Sequence, residues 1–118
     1  MLNYAFQNPP ILKAAAGFTD SVLINGQDSS AQSTDNFFVQ LRNIIIDTTA
    51  TDASTNLTAL AWGVAQGCAI GNVKINMPTN TTSHIGIDLA GGSTTSVADI
   101  EITGGKVGIL NSNQQVSL

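Results

Sequence analysis

Charge is scarce in this chain: only 10% of its 118 residues are Asp, Glu, Lys or Arg, and the formal net charge is -4. Arg42 and three lysines scattered along the sequence offer no basic footprint for a phosphate backbone and no polybasic patch for an acidic bilayer. Nucleic acid and membrane surfaces are therefore not expected partners. Cysteine is nearly absent. Cys68 stands alone, so no intramolecular disulfide is possible, and a lone small thiol reads as a buried side chain. No apolar run approaches the roughly 18 residues needed to span a bilayer, and the opening MLNYAFQNPP lacks the basic region and apolar core of a signal peptide. His84 is the single histidine, in a Thr-rich stretch with no second His or Cys at ligand spacing; it reads as a surface residue, and no metal is expected. Gly91-Gly92 and Gly104-Gly105 have neither a P-loop lysine nor a following helix, so they read as tight turns and no cofactor is implied.

What the chain does contain is 42% hydrophobic residues, within the range of one modest folded domain, and a polarity carried by Thr, Ser, Asn and Gln. A neutral, hydroxyl-rich partner such as a polysaccharide suits that surface. The triplets Asn56-Leu57-Thr58 and Asn80-Thr81-Thr82 fit glycosylation acceptors, though such triplets recur by chance in a Thr-rich sequence.

The pattern is repetitive. LRNIIIDTT at 41–49, IGNVKINMP at 70–78 and VADIEITGG at 97–105 are variants of one strand, with Asn43, Asn72 and Asp99 spaced 29 and 27 residues apart. A weaker repeat sets Gly63-Val64-Ala65 beside Gly86-Ile87-Asp88 and Gly108-Ile109-Leu110. Periods of this length built on β-type alternation indicate a solenoid in which no single unit buries its own apolar face. Alternation places Ile44, Val73 and Ile100 in one inward column, and Ile46, Ile75 and Ile102 in another. Between them Ile45, Lys74 and Glu101 face outward, with Lys74 beside Glu101. Every repeat reads in the same direction, so the chain must return to its starting side in each winding, which only parallel stacking permits.

Segments 11–15 and 21–25 supply earlier strands, and the count is about four coils. Loops sort onto two corners. One shortens from the 49–60 region through 77–85 to the Gly104-Gly105 turn. The other carries Gln66, then Gly91-Gly92-Ser93, then Asn113-Gln114-Gln115, a neutral polar edge on three successive coils. Asn43, Asn72 and Asp99 suggest a polar ladder. Gln115 to Leu118 match the approach to another main strand, and no cap is visible, so residues 1–118 read as a partial solenoid domain.

Ordered phrases along nearly the whole chain carry a resemblance: Ile11-Leu12-Lys13-Ala14 with Phe18-Thr19, then NFFVQLRNIIID at 36–47, Trp62 to Gln66, Gly91-Gly92-Ser93, Gly104-Gly105 to Gly108, and Asn113-Gln114-Gln115. Together they resemble the first β-helix of the fungal glucan 1,3-β-glucosidases of glycoside hydrolase family 55, within the pectate-lyase superfamily. The resemblance implies an all-β, right-handed, single-stranded parallel β-helix, from an extracellular exo-acting enzyme that hydrolyses β-1,3-glucan with inversion. It further implies a second β-helix packed against this one, supplying a general-acid glutamate that these residues do not include. Inverting hydrolysis needs such an acid at the leaving oxygen and a water held on the opposite face of the sugar. By resemblance, Gln66 and Ser93 take the water-holding positions, while Trp62, Gln114 and Gln115 contact sugar.

Each of these readings has a plainer competitor. Asp47, Asp88, Asp99 and Glu101 are the carboxylates available for acid–base work. Yet Asp47 and Asp99 stand where Asp makes local backbone hydrogen bonds, and Glu101 fits as a partner of Lys74. Trp62 suits either a sugar face or coil packing. Two alternatives to a glucanase wall stay open: a non-catalytic carbohydrate-binding or structural solenoid, and a pectin-type lyase or hydrolase. Few basic residues and no carboxylate cluster weigh against the last.

Overall fold

A computed structural model of the chain describes residues 8–27, 36–91, 93–112 and 116–118. Among the described residues, nine strands alternate between two sheets. Strands β1 (Ile11–Lys13), β3 (Gln40–Asp47), β5 (Cys68–Asn76), β7 (Thr95–Thr103) and β9 (Val116–Ser117) form one sheet in that spatial order. Strands β2 (Val22–Asn25), β4 (Thr58–Ala61), β6 (Ile85–Asp88) and β8 (Val107–Leu110) form the other. All pairings are parallel. The chain is therefore a parallel β-helix, each winding contributing one strand to each sheet, with β9 opening a fifth.

The inward columns are as the alternation predicts: Ile44 pairs with Val73 and Val73 with Ile100, while Ile46 pairs with Ile75 and Ile75 with Ile102. Ile46, Val73 and Ile75 lie in a continuous core with Ile70, Leu60, Ile87 and Leu89. The outward Lys74 meets Glu101 at 2.9 Å. That ion pair is exposed and contributes about 0.2–1 kcal/mol, so it reports register more than it stabilises.

Strict alternation fails at one point in each long strand. Ile70 and Val73 are both buried although three residues apart. Between them Asn72 adopts φ 56°, and its equivalents Asn43 and Asp99 adopt 60° and 55°. A left-handed residue bends the strand and resets the phase of its side chains; Asn and Asp tolerate this conformation better than other residues with a Cβ. The polar ladder is partly formed: Asn72 Nδ2 donates to Asn43 Oδ1 at 2.7 Å. Asp99 shares the bend, within β7 rather than at a strand end.

The second sheet corrects the weaker repeat. Leu60 pairs with Ile87 and Ile87 with Ile109, so Ala59-Leu60-Ala61, not Gly63-Val64-Ala65, matches Gly86-Ile87-Asp88. Gly63-Val64-Ala65 belongs to the turn after β4. A glycine shared by chance drew the alignment four residues too far.

The corner of variable loops is tightly stitched, and here a second correction falls. His84 is fully buried rather than on the surface. Its Nε2 faces the Asp52 carbonyl at 3.1 Å and its Nδ1 faces the Thr48 hydroxyl at 3.4 Å. Thr81 donates from its hydroxyl to the Ala53 carbonyl, and Ser83 donates to that of Thr55. Loop 77–84 thus lies against loop 48–57, which shields an imidazole that one loop alone would leave in water. Asp52 accepts from the Ser54 amide and hydroxyl, and these bonds, with the nearby His84, hold its carboxyl below the ordinary 3.8.

Candidate functional site

The opposite corner joins each strand of the smaller sheet to the next long strand. Its windings are tied by backbone bonds: Ala65 N–H to Asn36 O, Phe38 N–H to Gln66 O at 3.2 Å, and Ser93 N–H to Val64 O at 2.9 Å. Cys68, buried as its isolation suggests, sits inside the turn with its thiol 3.3 Å from the Asn36 carbonyl and the Val39 amide.

Register places the polar residues of this corner in columns. Gln40 pairs with Ala69, and Ala69 with Ser96. Two residues before each stand Phe38, Gly67 and Thr94, all left-handed at φ 58°, 74° and 30°. Every winding therefore enters its long strand through the same reversal. One residue earlier stand Phe37, Gln66 and Ser93. Gln66 and Ser93 thus belong to the same corner of adjacent windings, the Ser93 amide donating to the Val64 carbonyl two residues before Gln66. Gln66 is exposed and Ser93 half-buried. Neither side chain takes a hydrogen-bond partner among the described residues.

The chemistry open to this pair is limited and specific. An amide and a hydroxyl each donate and accept, so they can orient a water or a sugar hydroxyl, and neither titrates near neutral pH. The carboxylates elsewhere are locally engaged. Asp47 accepts from the Thr49 amide at 2.8 Å and the Thr49 hydroxyl at 2.6 Å. Partial burial pushes its carboxyl up, but those two bonds and Lys13 at 4.0 Å outweigh it and hold the group below its ordinary value. Asp88 caps the Ala90 amide at 2.8 Å, and Glu101 pairs with Lys74.

Of the two readings of Trp62, burial selects coil packing. Only 3% of the residue is exposed, and a Cβ at Gly26 would come within 2.7 Å of its ring. Its faces are covered, which corrects its assignment as a sugar contact. Gln114 and Gln115 lie outside the described residues. Sequence reasoning passed over Phe37 and Phe38, 49% and 78% exposed, at this same corner. Aromatic residues flanking an inward-patterned strand read as core, and only register shows them beside Gln66.

A parallel β-helix is the architecture of the pectate lyase-like proteins, and the family model described as rhamnogalacturonase A/epimerase, pectate lyase-like, matches residues 5–118. The chain belongs to that family. Among curated proteins it is 39% identical over 117 residues to a glucan 1,3-beta-glucosidase of Cochliobolus carbonum, covering 92% of this chain and 15% of the relative. It is 50% identical over 62 residues to the glucan endo-1,3-beta-glucosidase BGN13.1 of Trichoderma harzianum, covering 50% of this chain and 8% of the relative. It is also 33% identical over 113 residues to the non-secreted LysM effector LysM19 of Penicillium expansum, covering 90% of this chain and 9% of that protein. The chain thus spans a small part of each relative's length.

Proposed function

We propose that this β-helix forms one wall of a β-1,3-glucan groove in an inverting, extracellular glycoside hydrolase, with Gln66 and Ser93 holding the attacking water. The observation that carries the reading is their place at one corner of adjacent windings, uncharged and with no side-chain partner among the described residues, in a chain similar to a glucan 1,3-beta-glucosidase. Hydrolysis with inversion separates two tasks, protonation of the leaving oxygen and delivery of water from the opposite face. Gln66 and Ser93 suit the second task alone, since neither side chain titrates near neutral pH. A second β-helix, packed across the groove, supplies the acid, and Gln114 and Gln115 add sugar contacts. The 118 residues by themselves are then expected to be inactive.

Laminarin hydrolysis by the polypeptide carrying this chain tests the proposal. Gln66→Ala and Ser93→Ala should each lower kcat by about 10- to 100-fold, the cost of misplacing a reactant. Unaltered rates in both variants would remove the water-holding role, and inert wild-type protein would remove the glucanase reading. A relative named as an effector rather than a hydrolase favours a second reading, a carbohydrate-binding module without catalysis. Laminarin affinity without any release of glucose would select it.

A further inference from the structure

Phe37 and Phe38 have no part in the core, yet they stand at the corner that carries Gln66 and Ser93. The other exposed large apolar residues, Ile11, Leu12, Leu110 and Leu118, belong to the outer strands β1 and β8 or to the last residue described. The two phenylalanines instead precede β3. Phe38 is held in a defined pose. Its amide donates to the Gln66 carbonyl, and a Cβ at Gly67 would approach its Cδ1 to 2.5 Å, so the ring lies directly over the Gly67 backbone. One side of the ring is seated on that glycine while 78% of the residue faces solvent. Phe37 lies alongside, ring centroids 6.4 Å apart and planes tilted by 44°.

Holding Phe38 there carries a conformational cost. A φ of 58° is an outlier for a bulky residue, and the equivalent turn of the next winding uses glycine. The strain and the exposure belong to the same side chain. Among the described residues, those at this corner in the next two windings, Gln66 and Ser93, are uncharged and hydrogen-bonding. An apolar aromatic face rimmed by uncharged hydrogen-bonding groups matches a pyranose ring, which offers C–H bonds on its face and hydroxyls at its edge.

We infer that Phe37 and Phe38 form an aromatic platform on which a glucosyl ring of the substrate stacks, placing its hydroxyls within reach of Gln66 and Ser93. This rests on the glucan reading above and assigns the stacking role to these phenylalanines in place of the buried Trp62. The gain from such a face is about a 2- to 12-fold change in Kd.

Affinity electrophoresis of the polypeptide in laminarin-containing native gels, together with Tm, provides the test. Phe38→Leu keeps an apolar side chain and removes the flat face, so it should weaken retardation by that factor at unchanged Tm, with Phe38→Trp restoring it. Should Phe38→Leu fail to fold, Phe37→Leu reads the same surface and is expected to weaken retardation in the same direction. Wild-type retardation that persists undiminished in the leucine variants overturns the platform and leaves the glucan reading standing. A lowered Tm with unchanged retardation makes the rings a packing surface for another segment, and likewise overturns it. Absence of any wild-type retardation overturns the glucan reading itself, and the platform with it.

Discussion

Asn72 and Asp99 occupy equivalent bends and differ by one atom type, yet that difference decides how far the ladder extends. Asn72 Nδ2 donates to Asn43 Oδ1, leaving Asn72 Oδ1 free to accept from the next winding. The Asp side chain at position 99 lacks the amide N–H that a further rung needs. Asp99→Asn should therefore add a rung and stabilise the protein by about 0.5–1.5 kcal/mol, read as a higher urea midpoint at unchanged m-value. Asp47 makes the opposite use of a carboxylate. Its folded-state pKa lies below 3.8, so it contributes stability that is complete above the unfolded value and is lost as pH falls through the folded one. Asp47→Asn should consequently destabilise the protein at about pH 6, with the gap to wild type narrowing as pH falls below 3.8, in urea titrations across that range.

Strands here are stabilised by columns rather than by their own contacts. Ile75 is fully buried between Ile46 and Ile102. Truncation to alanine opens a cavity shared by three windings, and Ile75→Ala should cost about 2–5 kcal/mol in chemical denaturation. The turns obey a different constraint. Gly104 has φ 77°, and a Cβ there would overlap the Met77 carbonyl of the preceding winding. The tight turn at 104–106 thus depends on glycine twice, for its conformation and for the room it leaves. By contrast the loops at 48–57 and 77–84 hold their shape through side chains, which is how His84 comes to be enclosed.

A solenoid distributes stability along its axis, because each winding contacts only its neighbours. The winding formed by β5 and β6 is covered on both sides, whereas β1 and β9 pair on one side only. Amide exchange should be slowest in β5 and become faster toward β1 and β9, by about one to two orders of magnitude, in a mass-spectrometric time course. Uniform protection across the strands would mean a single cooperative unit instead. Such stacking also creates the candidate site. Gln66 and Ser93 are distant in the chain and adjacent along the axis, a proximity that no local conformation produces.

The inward columns, the direction of stacking, the Lys74–Glu101 pair and the sorting of loops onto two corners were legible in the amino-acid order. Alternation and repeat spacing are local properties, and a strand that must bury one face displays them directly. Four other features required the folded chain: the phase reset at Asn72, the pairing of Leu60 with Ile87, the burial of His84 and Trp62, and the position of Phe37 and Phe38 beside Gln66. Each depends on which segment of a neighbouring winding lies against it. That choice follows from stacking register and loop length, which act between residues remote in number and leave no period to read.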